Sequence, residues 1–179
     1  MSTLLDAERV HLELLEKWRT AMNLIGPGPA HHHFMDARGA VSALDASGRW
    51  ADLGSGAGFP GIALAIHNPA VEVLLVESRE RRAGFLKQVV RAAGLENAEV
   101  FHGRTESITG PFDGIISRGY RPLPDYLADA DRLLGLEGQA VSMTGEGELS
   151  DVPTGWTVVK TWTYDLDDGR RSAHCLRRS

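Results

Sequence analysis

The sequence predicts an α/β fold, in which a mostly parallel sheet of seven strands is covered by helices, ends in an antiparallel hairpin and follows an N-terminal helical extension. From residue 49 onward, short and nearly continuous apolar runs alternate with segments of helical periodicity, a pattern typical of parallel strands with both faces buried. The 179 residues correspond to about one domain. We interpret residues 1–179 as a single domain, with 1–47 as the helical extension and 48–179 as the core.

Two helices are predicted in the extension. Residues 4–25 contain neither glycine nor proline, and apolar side chains recur along them every three or four positions, which indicates an amphipathic helix. Alternating glycine and proline at residues 26–29 end it, and a second helix is predicted from about residue 34 to 44. In the core, the predicted strands are 50–53, 71–76, 98–101, 114–117, 139–143, 156–163 and 172–177, and the predicted helices are 62–66, 79–93 and 123–134.

The composition excludes several classes of protein. Lys and Arg number 19 against 24 Asp and Glu, a net charge of −5, which argues against general coating of nucleic acid but allows a local basic patch. No apolar stretch approaches the roughly 20 residues that a bilayer requires, and the first residues lack the pattern of a secretion signal. The single Cys175 excludes an internal disulfide. We expect a cytoplasmic monomer that does not bind membranes.

The most informative segment is WADLGSGAGFPG at residues 50–61. Gly54, Gly56 and Gly58 alternate between a predicted strand and a predicted helix, so a ligand can approach the backbone and meet free N–H groups at the helix N-terminus. The spacing differs from the Gly-x-Gly-x-x-Gly that holds a dinucleotide pyrophosphate. Together with Asp52, it points to a nucleoside without a diphosphate, namely S-adenosylmethionine (AdoMet).

Glu77, at the end of the next predicted strand, supports this interpretation. A carboxylate at that place can accept hydrogen bonds from both ribose hydroxyls. The structural alternative is a tight strand-to-helix turn at the glycines, with Glu77 as a helix N-cap. The glycine spacing, the two carboxylates and the strand–helix context together favour nucleoside binding.

This segment and several later ones resemble the RsmG (GidB) family, AdoMet-dependent methyltransferases that modify N7 of a guanine in 16S ribosomal RNA. The matching stretches are DLGSGAGFPGI at 52–62, Glu77-Ser78, RRAGFLKQV at 81–89, RTE at 104–106 and FDGIISR at 112–118. The resemblance covers nearly the whole chain. It implies the class I, Rossmann-like methyltransferase fold, AdoMet as cofactor with S-adenosylhomocysteine (AdoHcy) as product, and 16S rRNA or a small ribosomal subunit precursor as partner.

The resemblance also implies further site residues. To the cofactor contacts Asp52, Gly54, Gly56, Gly58 and Glu77, it adds Phe59, Ser78, Thr105, Glu106 and Arg118. The chain departs from the family in some places. The family has Asp at Glu77 and Lys at Arg81, changes that keep the charge, whereas Thr144 stands where the family has Lys and His32 where it has Arg.

Arg118 is the expected catalytic residue. Guanine N7 carries a free lone pair at neutral pH, so its methylation needs no base, and the enzyme contributes chiefly by aligning the reactants. Arg118 follows the predicted strand 114–117, at the sheet edge where open α/β folds hold their ligands. The alternative role for Arg118 is a surface salt bridge.

A basic stripe is expected to contact RNA phosphates. It lies on the predicted helix after Glu77 and consists of Arg79, Arg81, Arg82, Lys87 and Arg91. We expect Arg81 and Arg82, with His33, to contact RNA; a merely solvated face is the alternative. A small-molecule methyltransferase and a non-catalytic, AdoMet-binding ribosome-assembly factor also stay open.

The histidine run at residues 31–33 is not expected to bind a metal. Metal ligands converge on one point, and three adjacent side chains point in different directions. Helix capping or RNA contact by His33, together with Asp36, is the favoured interpretation.

Overall fold

The computed structural model describes residues 4–147 and 149–179. Residues 1–3 of the predicted extension lie outside them. The helical extension comprises α1 (Asp6–Met22) and α2 (Ala30–Val41). The elements that follow are β1 (Arg49–Leu53), α3 (Gly61–His67), β2 (Glu72–Glu77), α4 (Glu80–Ala92), β3 (Ala98–His102), a short 3₁₀ helix (Thr105–Ser107), β4 (Phe112–Ser117), α5 (Leu123–Leu133), β5 (Leu134–Gly145), β6 (Trp156–Leu166) and β7 (Gly169–Arg178).

The strands form one seven-stranded sheet in the order β3-β2-β1-β4-β5-β7-β6. β1 to β5 pair in parallel, and β7 pairs antiparallel with both β5 and β6. The chain therefore runs outward from β1 to β3 and restarts beside β1 with β4. This reversal leaves a crevice at the carboxyl ends of β1 and β4, where ligands bind in open α/β sheets. The predicted sheet and its antiparallel hairpin are confirmed.

Apolar side chains bury both faces of the sheet. On one face, Trp50 and Leu75 of the sheet pack with Leu15 of α1, Phe34 of α2 and Phe85 of α4. On the other face, residues of β1 and β4 pack against α5. Strands covered on both faces are apolar along their whole length, which is why the sequence pattern revealed them. Within the described residues, no helix combines the length and apolar content needed to span a bilayer.

The start of α2 differs from the prediction. The helix begins at Ala30, about four residues earlier than expected, and its N-cap is Pro29, which makes no side-chain hydrogen bond to the helix. His33 and Asp36 lie inside the helix, so the suggestion that they cap it is wrong. Proline lacks an N–H group and costs nothing directly before the helix, where backbone N–H groups have no partner within the helix.

Strand β5 is longer than the predicted segment 139–143. It follows α5 directly, and Leu134 already pairs with Phe112 of β4. The register then shifts, so that Gly114 pairs with Gln139. The extra residues of β5 bulge outward, and Leu136 is 93% exposed. Such a bulge interrupts the apolar alternation by which a strand is detected in a sequence.

Candidate functional site

The glycine loop, residues 54–58, curls from the end of β1 over the end of β2. The backbone N–H groups of Gly54 and Ser55 both donate to the carbonyl of Val76, each at 3.0 Å. Gly54, Gly56 and Gly58 have φ values of 70°, 56° and 95°, in the left-handed region that glycine adopts without strain. A Cβ on Gly56 would meet no atom outside its neighbours closer than 3.7 Å. The loop therefore presents open backbone at Gly56, as a bound nucleoside requires.

Glu77 holds this loop from the end of β2. Glu77 is 5% exposed; its Oε2 accepts a hydrogen bond from the N–H of Gly56 at 2.9 Å, and its Oε1 accepts one from the N–H of Arg79 at 2.7 Å. The N-cap of α4 is Arg79, so the alternative in which Glu77 caps that helix is wrong. A carboxylate offers about four lone-pair positions, so two stay available for ribose hydroxyls.

Asp52 lies beneath the loop. It is fully buried, and its Oδ2 accepts the N–H of Gly61 at 3.1 Å, at the start of α3. Within the described residues, its Oδ1 has no hydrogen-bond partner. Burial raises the pKa of this carboxyl to about 7, despite opposing hydrogen bonds from Ser55 and Gly61. In this position the side chain joins the loop to α3 from below.

A cavity of about 210 Å³ opens beside the loop. Its lining includes Gly54, Ser78, Thr105 and Glu106, which the sequence analysis assigned to the cofactor. Tyr120, which that analysis missed, forms another wall. A Cβ on Gly54 would come within 2.6 Å of the Tyr120 ring, so the ring lies directly against the loop.

A hydrogen-bonded network fixes this wall. The Tyr120 hydroxyl lies 2.7 Å from Thr105 Oγ1 and 3.1 Å from Asp129 Oδ2. Arg121 is paired with Glu106 at 2.9 Å and with Asp129 at 3.2 Å, and its hydrogen bond lowers the pKa of Glu106. Tyr120 could have been predicted from its position, because it stands two residues after Arg118, just beyond the carboxyl end of β4.

A second cluster surrounds Phe59, the residue that follows the glycines. The Arg118 guanidinium lies 5.2 Å from the centre of the Phe59 ring, and the His33 ring stacks on Phe59 at 5.7 Å. Arg118 donates to Asp36 Oδ2 at 2.9 Å, and the Tyr164 hydroxyl donates to Asp36 Oδ1 at 2.8 Å. The structure thus brings together three predicted residues, His33, Phe59 and Arg118, and adds Tyr164.

His33 in this cluster is a neutral imidazole at pH 7. Burial and the nearby charge of Arg118 lower its pKa to about 4, against the opposing effect of Asp36. One ring nitrogen of a neutral imidazole donates and the other accepts. The side chain can therefore hydrogen-bond a base without adding positive charge beside Arg118.

His11 of α1 supports the loop from the opposite side and was also missed. It is 1% exposed, its Nε2 lies 2.8 Å from the carbonyl oxygen of Ala57, and its ring stacks on Phe59 at 4.9 Å. Burial lowers its pKa to about 4, so the neutral ring donates to Ala57. The N-terminal extension is therefore in direct contact with the loop.

The basic stripe on α4 is divided. Arg79, Arg81, Lys87 and Arg91 are exposed. Arg82 is partly buried and donates to the carbonyl of Asn23, at the end of α1, at 2.6 Å. A groove of about 350 Å³ between the end of α1 and the start of α4 is lined by Arg79, Arg81 and Arg82.

Thr144, which stands on β5 where the family has a lysine, has its Oγ1 3.0 Å from His174 Nε2 on the neighbouring strand β7.

A family model described as rRNA small subunit methyltransferase G (GidB) matches residues 7–161. The chain belongs to this family. A protein named ribosomal RNA small subunit methyltransferase G from Azoarcus sp. BH72 is 37% identical over 158 residues, covering 83% of this chain and 74% of the relative. The protein of the same name from Pseudomonas paraeruginosa PA7 is 34% identical over 191 residues, covering 98% and 89%.

Two solved structures share the fold of this GidB-family chain. The mitomycin 7-O-methyltransferase MmcR aligns with a TM-score of 0.69 and 13% identity, covering 98% of this chain and 61% of that one. M. jannaschii TYW2, solved in complex with AdoMet, aligns with a TM-score of 0.63 and 13% identity, covering 86% and 79%. The family, the methyltransferase class and the Rossmann-like fold predicted from the sequence are confirmed.

Proposed function

We propose that this GidB-family enzyme transfers a methyl group from AdoMet to N7 of a guanine in 16S rRNA and releases AdoHcy. One observation carries the proposal. The Phe59 cluster, with Arg118 and His33, directly adjoins the glycine loop that Glu77 holds through the N–H of Gly56. A cofactor along the loop and a base held by Arg118 and His33 would then be neighbours.

The residues of the glycine loop and of the cavity beside it fit AdoMet. Glu77 accepts the ribose hydroxyls through its remaining lone pairs. The open backbone of Gly56 lets the nucleoside approach closely. Ser78, Thr105 and Glu106 line the cavity that would hold the adenine, and buried Asp52 supports the loop from below.

The residues of the second cluster orient the base. Bound AdoMet supplies a methyl group on a positively charged sulfur, and the lone pair of guanine N7 needs no base to expose it. Arg118 and the neutral His33, which pack against the buried Phe59 ring, offer hydrogen bonds to the guanine edge. Asp36 fixes the direction of the Arg118 guanidinium. Alignment of this kind lowers the activation barrier substantially when the reactants are held in near-attack geometry.

The RNA backbone crosses the groove between α1 and α4. Exposed Arg79 and Arg81 offer charge to phosphates there, close to the loop that carries the cofactor. We also propose that the enzyme acts as a cytoplasmic monomer, because its substrate is an assembling ribosomal subunit and each chain carries both clusters. Light scattering of the purified protein tests the oligomeric state.

A methylation assay tests the function. Purified enzyme with AdoMet is incubated with 30S subunits, naked 16S rRNA and a panel of small guanine-containing metabolites, and N7-methylguanosine is mapped. Methyl transfer at one guanine of the rRNA supports the proposal. Transfer to a metabolite without RNA would indicate a small-molecule enzyme, and bound AdoMet without transfer to any RNA would indicate an assembly factor; either outcome contradicts it.

A further inference from the structure

Two histidines of α2 and one aspartate of the β6–β7 turn form a cluster of metal-ligating side chains outside the two clusters described above. His31, His32 and Asp167 each place one ligand atom within 4.8 Å of the other two. His32 Nε2 lies 4.0 Å from Asp167 Oδ2, and the His31 and His32 rings lie 4.5 Å apart at 83° to each other. All three residues line a cavity of about 420 Å³ between α2 and the hairpin.

The acidic residues on either side of Asp167 are engaged differently. Asp165 is paired with Arg170 at 2.9 Å, and Asp168 is paired with Arg171 at 3.0 Å. Asp167 instead faces His32. Of these three carboxylates, Asp167 is therefore the one directed to the histidines, and arginines satisfy the other two.

We propose that His31, His32 and Asp167 bind one divalent transition-metal ion, with Zn²⁺ as the best match. Two imidazoles and a carboxylate, with water in the fourth position, are a common zinc ligand set. Zinc–ligand bonds of about 2.0–2.2 Å in tetrahedral geometry place ligand atoms roughly 3.3 Å apart. The side chain of Asp167 is 78% exposed, so it can rotate over the remaining distance towards the histidines.

The three adjacent histidines do not converge on one ion by themselves. His33 does turn away, because its ring stacks on Phe59. His31 and His32 turn towards the hairpin, and the third ligand comes from far along the chain. A metal bound there would join α2 to the hairpin that carries Tyr164, and would stabilise that packing by binding only the folded state.

Calorimetric titration of the tag-free protein with ZnCl₂ tests the site directly, independently of methyl transfer. We expect one ion per chain and a rise in melting temperature. His32→Ala and Asp167→Asn should each weaken zinc binding by at least about tenfold. His33→Ala and Asp168→Asn are matched controls from the same run and the same turn, and they should bind zinc as the wild type does. Mg²⁺, which prefers oxygen ligands, should not bind.

Two results would overturn the proposal. The first is the absence of stoichiometric zinc binding by the wild-type protein. The second is zinc binding that Asp167→Asn leaves unchanged or that His33→Ala removes equally, because the histidines would then attract metal without a defined site. Circular dichroism of each variant establishes that it is folded, and the near-isosteric Asp167→Asn serves if a histidine variant is not.

Discussion

Arg118 and Asp36 are 2.9 Å apart, although 82 positions separate them in the chain. Asp36 belongs to the helical extension and Arg118 to the end of β4, and Tyr164 of the hairpin donates to the other oxygen of the same carboxylate. The arginine proposed to orient the base is thus positioned by two elements that are distant from it in the sequence.

The first prediction concerns this pair. Arg118→Lys keeps the charge but loses the planar fork that a carboxylate and a base edge can share. Turnover on 16S rRNA should fall at least about tenfold, equivalent to roughly 1.4 kcal/mol of barrier, with a near-normal melting temperature. Tyr164→Phe, which removes only the hydrogen bond to Asp36, should cause a smaller loss in the same direction. Single-turnover kinetics measure both.

Arg177→Lys is the control for this pair, because it changes an exposed arginine near the opposite ends of the strands. Its turnover should equal that of the wild type. An Arg118→Lys enzyme that turns over normally, or that unfolds, contradicts the assignment of Arg118 to alignment.

The second prediction concerns the cofactor. The carboxylate of Glu77 accepts hydrogen bonds from the N–H groups of Gly56 and Arg79. Glu77→Gln retains the size of the side chain, but its amide N–H₂ would face one of these two donors. AdoHcy affinity should fall by roughly 1–3 kcal/mol, the cost of losing charge-assisted hydrogen bonds. Calorimetry measures the change. Exposed Glu72 begins the same strand, and Glu72→Gln should bind AdoHcy normally. Unchanged affinity in a folded Glu77→Gln variant would exclude the ribose role.

The third prediction separates the basic residues of α4. Arg79→Ala and Arg81→Ala should each lower the slope of log affinity for 16S rRNA against log salt by about one unit and leave AdoHcy affinity unchanged. Arg82→Ala should in addition lower the melting temperature, because its side chain holds the end of α1. Filter binding at several salt concentrations measures the slopes. Identical slopes in all variants would make the stripe a solvated face.

The fourth prediction concerns pH. Glu8 is 1% exposed, hydrogen-bonds His67 at 3.0 Å and is ion-paired with Arg38. Burial alone would raise the pKa of Glu8, but hydrogen bonds from His67, Arg38 and the backbone outweigh it and lower the pKa to about 2 from 4.5. A depressed folded pKa means that the stabilisation is present above pH 4.5 and is lost as the pH falls from 4.5 towards 2.

Glu8→Gln should therefore lower the free energy of unfolding by about 3 kcal/mol at pH 7 and flatten its decline over that acidic range. Glu16→Gln, at an exposed ion pair with Arg19 on the same helix, should change stability by less than about 1 kcal/mol. Urea denaturation at a series of pH values provides the measurement. If the free energy of unfolding falls equally steeply below pH 4.5 in wild type and Glu8→Gln, Glu8 is not the cause of the acid destabilisation.

Much of the fold was predictable because its signals are local. The strands β1, β2 and β4 are buried on both faces and read as continuous apolar runs. The glycine loop and Glu77 were predictable for a related reason, since a loop that must admit a ligand needs glycine at particular backbone positions. The start of α2 and the bulge in β5 were mispredicted because tertiary pairing, and not periodicity, determines them.

The supporting residues of the site could not be predicted. Tyr164 contacts Asp36 because its ring lies over Gly39, where any Cβ would fall within 2.1 Å of the ring. His11 reaches Ala57 because α1 packs beside the loop. Neither residue stands in a motif, and each acquires its role from a neighbour that is remote in the sequence.

The place of Tyr164 on β6 has a genetic consequence. A nonsense or frameshift mutation after β5 would leave the glycine loop, Glu77 and Arg118 encoded and would remove β6 and β7. The truncated product would lose the hydroxyl that holds Asp36, as well as the strand that pairs with β5. Late truncations should consequently be as inactivating as lesions in the loop itself, so null alleles should extend through the codons of β6 and β7.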